Sequence, residues 1–230
     1  MIFYGFQKLT LLDFPGKTAC TVFTAGCNFR CPFCHNASLA VGKEHRESYT
    51  DGDILSYLEK RKGILDGVCI TGGEPLLHKR LDAFMSAVKN LELKVKLDTN
   101  GSFPDRLEEV IKKGLVDYVA MDIKAGEEKY SRAVGLESVD TDAIKRSIDI
   151  LKESGIDHEF RTTAIKGIHD PEEIRQICAL IGEGEKYYIQ NFSDSGDLID
   201  SASEGLTYDE MHALLDTAQK CKTDANLRGI

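Results

Sequence analysis

Three cysteines stand within eight residues of one another, in the segment Gly26-Cys27-Asn28-Phe29-Arg30-Cys31-Pro32-Phe33-Cys34-His35-Asn36. Thiolates are soft donors, and three of them spaced C-x3-C-x2-C can wrap one face of a metal centre. A structural zinc ion asks for four protein ligands and leaves no position open. No fourth thiol stands nearby, because Cys20 lies back in an apolar stretch, and His35 reads as a loop histidine bonded to nearby backbone rather than as a fourth ligand. A cubane iron–sulfur cluster held by three cysteines has one iron left for a small molecule. The seven cysteines are odd in number and unevenly placed, which does not suit a disulfide framework. Cys69 and Cys178 fall in apolar patterns as small core residues, and Cys20 and Cys221 give no sign of a second cluster.

The elements that must carry this loop alternate along the chain. Thr18 to Phe23 is an apolar strand that leads into the cysteines. Thr50 and Asp51 can cap a helix whose apolar face is Ile54, Leu55 and Leu58. A strand at Val68 to Ile70 precedes Thr71-Gly72-Gly73-Glu74-Pro75, and Leu81, Phe84, Met85 and Val88 give the next helix one buried face. Strands at Lys94 to Asp98, Tyr118 to Ile123, Glu159 to Ile165 and Tyr187 to Phe192 each precede a helical pattern. The last helix opens on a capping box of Thr207 and Glu210.

Six strand–helix units in sequence imply a parallel sheet with right-handed crossovers. Eight would close a full barrel. The expectation is an α/β protein with a partial (β/α)6 barrel, a flat doubly wound sheet being the alternative. No linker or repeat divides the chain, so residues 1–230 are expected to form one domain, with a core at about 18–192 and a carboxyl-terminal helix and tail at 193–230. From about Ser193 onward no chemical motif is legible. In either architecture ligands gather at the carboxyl ends of the strands. The unusual residues sit there: the cysteines after strand one, Gly72, Gly73 and Glu74 after strand two, Asp98 at the end of strand three, Asp122 and Lys124 after strand four, Arg161 in strand five, and Gln190 and Asn191 at the end of strand six.

Composition bounds the partners. The chain is 42% hydrophobic and 29% charged, ordinary for a globular domain with a real core. A net charge of −9 speaks against wrapping nucleic acid or lying on an anionic membrane. With no transmembrane stretch and no secretory signal, the expected location is the cytoplasm, where thiols stay reduced.

The motifs resemble those of the radical S-adenosylmethionine (SAM) superfamily, and within it the activating enzymes of glycyl radical enzymes, in particular the anaerobic ribonucleoside-triphosphate reductase and pyruvate formate-lyase activating types. The resemblance rests on GFQKLTLLDFPGKTACTVFTAGCNFRCPFCHN at 5–36, TGGEP at 71–75, LDTNG at 97–101 and MDIK at 121–124, and runs from about Gly5 to Asn191. It implies a [4Fe–4S] cluster on Cys27, Cys31 and Cys34, with the amine and carboxylate of SAM on the fourth iron. Reductive cleavage would yield a 5′-deoxyadenosyl radical that abstracts hydrogen from a substrate carbon, the cofactors carrying the hard chemistry. The resemblance also assigns Phe33 to the adenine. Gly72 and Gly73 would allow close approach to the methionyl amine, and Glu74 would accept from it. Asp98 and Asp122 would sit beside a monovalent cation, and Lys124 and Arg161 on the carboxylate or ribose side. His35 is grouped with these cofactor contacts.

Plainer readings stand beside these. Asp98 could cap a turn, Lys124 could be a solvated strand end, and Arg161 could pair with a nearby acid. Some activases carry a histidine near the sixth strand, where this chain has Gln190-Asn191-Phe192. The partner implied is a glycyl radical enzyme, whose glycine loop has no side chain and could enter the open side of a partial barrel. Flavodoxin or ferredoxin is the implied electron donor. The alternatives are a radical enzyme acting on a small molecule or peptide, and a non-catalytic zinc or iron–sulfur module.

Overall fold

The computed structural model describes residues 1–42, 47–194, 196–200 and 202–229. The chain opens with β1 (Ile2–Phe3), β2 (Gly5–Thr10) and β3 (Ala19–Thr24), followed by the cysteine loop, α1 (Ala37–Val41) and β4 (Tyr49–Thr50). Alternation then sets in: α2 (Asp51–Lys60), β5 (Gly67–Gly72), α3 (Leu81–Asn90), β6 (Lys94–Thr99), α4 (Pro104–Lys112) and β7 (Tyr118–Asp122). Two helices, α5 (Tyr130–Val134) and α6 (Thr141–Ser154), lead to β8 (Asp157–Ala164). The chain finishes with α7 (Pro171–Ile181), β9 (Lys186–Asn191), α8 (Tyr208–Lys220) and β10 (Asp224–Arg228).

Local chemistry accounts for the helix starts. Thr50 and Asp53 form a reciprocal capping box on α2, and Thr207 and Glu210 do the same on α8. Asp140 and Asp170 accept from backbone amides at the starts of α6 and α7, the latter with Pro171 in its first turn.

Eight strands form one sheet in the order β10-β9-β8-β7-β6-β5-β3-β2, while β1 and β4 pair separately. All neighbours in the large sheet run parallel except β2, which is antiparallel to β3. All six expected strands are present, and the α/β, partial-barrel expectation holds. Two strands enlarge it: β2 at one edge, and β10, which gives the tail beyond 193 a helix–strand unit of its own. The two edges do not pair with each other, so the sheet stays open.

Along each inner strand the side chains alternate between two faces. Val68, Ile70, Val95, Leu97, Val119, Met121 and Phe160 are fully buried in a core that also takes in Leu81, Phe84, Met85 and Val88 of α3 and Leu107 of α4. The opposite face carries Lys96, Asp98, Asp122, Glu159 and Arg161, with Ala120 between Asp98 and Glu159. A parallel sheet covered on one side by helices thereby holds charge on the other.

Candidate active site

The twelve residues that the resemblance gives to cluster or cofactor line one cavity at the carboxyl ends of the strands: Cys27, Cys31, Phe33, Cys34, His35, Gly72, Gly73, Glu74, Asp98, Asp122, Lys124 and Arg161. Gln190, also expected on the rim, lines it too, and Phe29, Thr99, Asn100 and Thr163 join them. Asn191, by contrast, turns away, exchanging hydrogen bonds with the Leu206 backbone at 2.8 and 2.9 Å.

The cysteine loop is held from several sides. The Gly26 amide donates to the Leu39 carbonyl and the Arg30 amide to the Val134 carbonyl, both at 2.8 Å. The Cys27 sulfur accepts from the Phe29 amide at 3.4 Å and from Asn100 Nδ2 at 3.8 Å. Asn100 also donates to Asn28 Oδ1, and Asn28 donates to Ser102 Oγ, so the loop is tied to the turn after β6. All three cysteines are free. Burial pushes each thiol up, Cys31 to about 12, with the Lys124 ammonium acting in the opposite direction on each. Thiols made reluctant to ionise by burial, yet facing a fixed cation and two sulfur-directed N–H groups, are a donor set for a metal centre that would itself favour the thiolate. Among the described residues no three His, Cys, Asp or Glu side chains are gathered tightly enough to hold a single metal ion.

His35 stacks on Phe192, ring planes 8° apart and centroids at 5.4 Å, and burial lowers its pKa.

The glycines line the cavity and also meet the chain's own backbone. Sequence reasoning gives Gly72 and Gly73 to the cofactor, yet each is pressed against the chain's own backbone. A Cβ on Gly73 would lie 2.0 Å from the Gly26 carbonyl oxygen, and one on Gly72 would lie 2.3 Å from that of Thr24. Gly72 also has φ +114°, open only to glycine. Two hydrogen bonds close the contact, Gly73 N to Thr24 O and Glu74 N to Gly26 O, both 2.9 Å. The need for glycine therefore arises within the fold, whatever the cavity takes.

Glu74 likewise works inside the chain. It is buried, and its carboxylate accepts from the Leu76 amide (3.0 Å), Thr99 Oγ1 (2.9 Å) and the Asn100 amide (2.7 Å). Burial raises its pKa to about 7 despite these donors. One carboxylate thus joins the TGGEP and LDTNG loops.

A row of alternating charges crosses three strands. Lys96 pairs with Asp98, and Arg161 reaches Asp98 with Nη1 at 3.2 Å and Asp122 with Nε at 3.0 Å. Lys124 closes the row on Asp122 at 2.9 Å. Burial alone would raise both carboxyls, but the cations outweigh it: Arg161 and Lys96 hold Asp98 below the usual carboxylate range, and Arg161 and Lys124 hold Asp122 down to about 2. Burial would lower Lys124 too, and Asp122 and Cys31 reverse it. The sequence reading sets a monovalent cation beside Asp98 and Asp122; the chain itself brings three cations to these two carboxylates. Lys96, whose side chain is 2% exposed, escaped that reading. Its signal was a lysine flanked by Val95 and Leu97 in a strand with apolar neighbours.

The chain matches the model of the Radical SAM superfamily over residues 21–181. It belongs to that superfamily. A protein of Methanocaldococcus jannaschii described as a putative glycyl-radical enzyme activating enzyme is 35% identical over 195 residues, 82% of this chain and 78% of that protein. A GTP 3′,8-cyclase of Helicobacter pylori is 30% identical over 73% of this chain and 51% of its own length. The pyruvate formate-lyase-activating enzyme of Clostridium pasteurianum is 33% identical over 53% of this chain and 51% of that one. Among solved structures, Streptococcus suis SuiB superposes with a TM-score of 0.69 at 17% identity, over 91% of this chain and 48% of SuiB. That is a likeness of fold. The chain thus spans about half the length of several relatives it matches.

Membership in the radical SAM superfamily implies a [4Fe–4S] cluster and SAM as cofactors. The residues present fit both: three free thiols line the same cavity as Glu74, Asp98, Asp122, Lys124 and Arg161. Among the described residues no helix is long and apolar enough to cross a membrane.

Proposed function

We propose that this radical SAM enzyme activates a glycyl radical enzyme, with anaerobic ribonucleoside-triphosphate reductase as the first candidate partner, and that residues 1–230 work as one domain. The observation that carries the reading is the convergence of Cys27, Cys31, Cys34, the TGGEP loop and the charge row on one cavity of an open sheet. In this reading Cys27, Cys31 and Cys34 hold the cluster. Phe33, buried against the same cavity, offers an apolar face to the adenine. Lys124 and Arg161 present positive charge to a carboxylate, and Asp98 and Asp122 keep those cations in place. Glu74 and Asn100 hold the two loops that frame the cavity. Bound together, cluster and cofactor supply a carbon radical that removes a hydrogen atom from the substrate. The unpaired edges β2 and β10 leave a side through which a glycine loop of a partner could reach the cavity. Resemblance to named activating enzymes supports this choice of substrate. Flavodoxin or ferredoxin is the proposed electron source.

The test is anaerobic reconstitution, reduction, and incubation with SAM and each candidate glycyl radical enzyme, read by EPR. A glycyl doublet on the partner is the expected result. SAM cleavage without a doublet on any candidate moves the substrate to a small molecule, the class suggested by the cyclase relatives. A colourless zinc protein that never cleaves SAM sinks the enzyme reading.

A further inference from the structure

We infer that Asp197 is a positioning residue for the cysteine loop, acting through a strap, residues 196–200, that lies against the loop. The sequence offered nothing for this stretch, and its contacts are mostly to backbone. Helix α1 begins directly after the last cysteines, at Asn36, whose side chain makes no capping bond. An N-cap normally supplies its own oxygen to the first amides. Here the oxygen comes from 159 residues away: the Asp197 carboxylate accepts from the Ser38 amide at 3.0 and 3.2 Å and from Ser38 Oγ at 2.7 Å. The Asp197 carbonyl accepts from the Ala37 amide at 3.4 Å. Three residues on, the Asp200 amide donates to the Pro32 carbonyl at 3.0 Å, inside the C-x2-C turn itself. On the other side of Asp197, Phe192 carries the His35 ring. The strap therefore grips the loop at Pro32 and at Ala37–Ser38, bracketing Cys34.

Asp197 has a second effect through its charge. Bonded to Ser38, four residues beyond Cys34, its carboxylate places a negative charge on the ligand-bearing loop. A carboxylate that orients a ligand-bearing loop and also sets the local potential is the kind of outer-sphere partner whose loss typically costs ten- to a hundredfold in metal retention. The inference rests on the proposed reading that Cys27, Cys31 and Cys34 hold a cluster.

Two variants separate clamp from charge. Asp197→Ala removes both, while the near-isosteric Asp197→Asn keeps one acceptor oxygen for Ser38 and removes the charge. After anaerobic reconstitution of the full chain, iron release to a chelator is followed by absorbance, and the cluster's midpoint potential by EPR-monitored titration. The expected result is release at least about tenfold faster in Asp197→Ala than in wild type, and an intermediate rate in Asp197→Asn. In Asp197→Asn the midpoint potential should also move upward, because a nearby negative charge has gone. That upward shift separates the role from simple loss of fold. Release from both variants at the wild-type rate overturns the inference while leaving the cluster reading intact. So does an unmoved potential with release from Asp197→Asn as fast as from Asp197→Ala. A wild-type chain that takes up no iron overturns the cluster reading, and the inference falls with it.

Discussion

Gly73→Ala decides between two accounts of the TGGEP loop. If glycine is needed so that SAM can approach, alanine weakens cofactor binding and leaves the cluster alone. The packing points elsewhere. The added methyl would stand 2.0 Å from the Gly26 carbonyl oxygen and 2.7 Å from its carbon, where ordinary contact begins near 3.4 Å, and both are backbone atoms with no rotamer to change. Gly73 is outside the positive-φ set, so the cost is contact alone. Relief requires the loops to part by more than 1 Å, which breaks the Glu74 N–Gly26 O and Gly73 N–Thr24 O bonds, each 2.9 Å. Two lost backbone hydrogen bonds at about 1 kcal/mol each and overpacking of about 1–3 kcal/mol give a destabilisation of about 3–5 kcal/mol. Because Gly26 adjoins Cys27, the same displacement moves the first thiol. The expected outcome is a lowered thermal transition together with reduced iron and sulfide per chain after reconstitution, alongside weaker SAM binding. Full iron content and an unchanged transition, with only SAM affinity reduced, would refute the packing account.

Two further perturbations test the polar interior. His169 is buried, with Nδ1 accepting from the Ile165 amide at 3.1 Å and Nε2 donating to the Lys124 carbonyl at 3.0 Å, and burial lowers its pKa to about 4. Its contribution is complete above the unfolded value near 6.5 and declines as pH falls toward 4, a loss of about 2 kcal/mol between pH 7 and pH 5; urea unfolding of His169→Gln should show a correspondingly flatter pH dependence, and an identical slope rules the assignment out. Arg161→Leu withdraws the cation shared by Asp98 and Asp122 while Lys96 and Lys124 stay, for a cost on the order of 3 kcal/mol. Arg161→Lys, a point charge without the guanidinium fork, should recover less than half of it in thermal unfolding, and full recovery would show that bridging both carboxylates is unimportant.

Buried parallel strands read as short apolar runs, which is why all six expected units were legible. β10 was not, because Asp224, Asn226 and Arg228 give it a polar alternation and only Ala225 is buried. β2 was hidden for a related reason: at a sheet edge its Gln7, Lys8 and Leu9 are exposed and mark no core face. The cysteines, Gly72 to Glu74, Asp98, Asp122 and Lys124 were legible as unusual types at strand ends and Arg161 as a charge inside a strand, while Phe33 and His35 came with the resemblance. Lys96 failed that test. A lysine alternating with Val95 and Leu97 suggests a solvated face, whereas this sheet turns its polar face inward to the cavity. The packing of Gly72 and Gly73 against Thr24 and Gly26 was not legible, because a glycine shows only that room is short and not what fills it. The strap against the cysteine loop left little trace, since backbone carbonyls and amides carry no residue signature.

The partners of the cysteine loop lie far along the chain: Asn100 bonds Cys27 across 73 residues, and Asp197 bonds Ser38 across 159. Contacts of such span form late, because the chain between them must first be ordered. During synthesis the three thiols leave the ribosome long before the segment that caps α1 exists. Until then they are three exposed and chemically reactive sulfurs on an unfinished protein. Cluster loading, in the proposed reading, accordingly waits for the segment that carries Asp197, and the interval before it is when these cysteines are open to oxidation or to capture of the wrong ion.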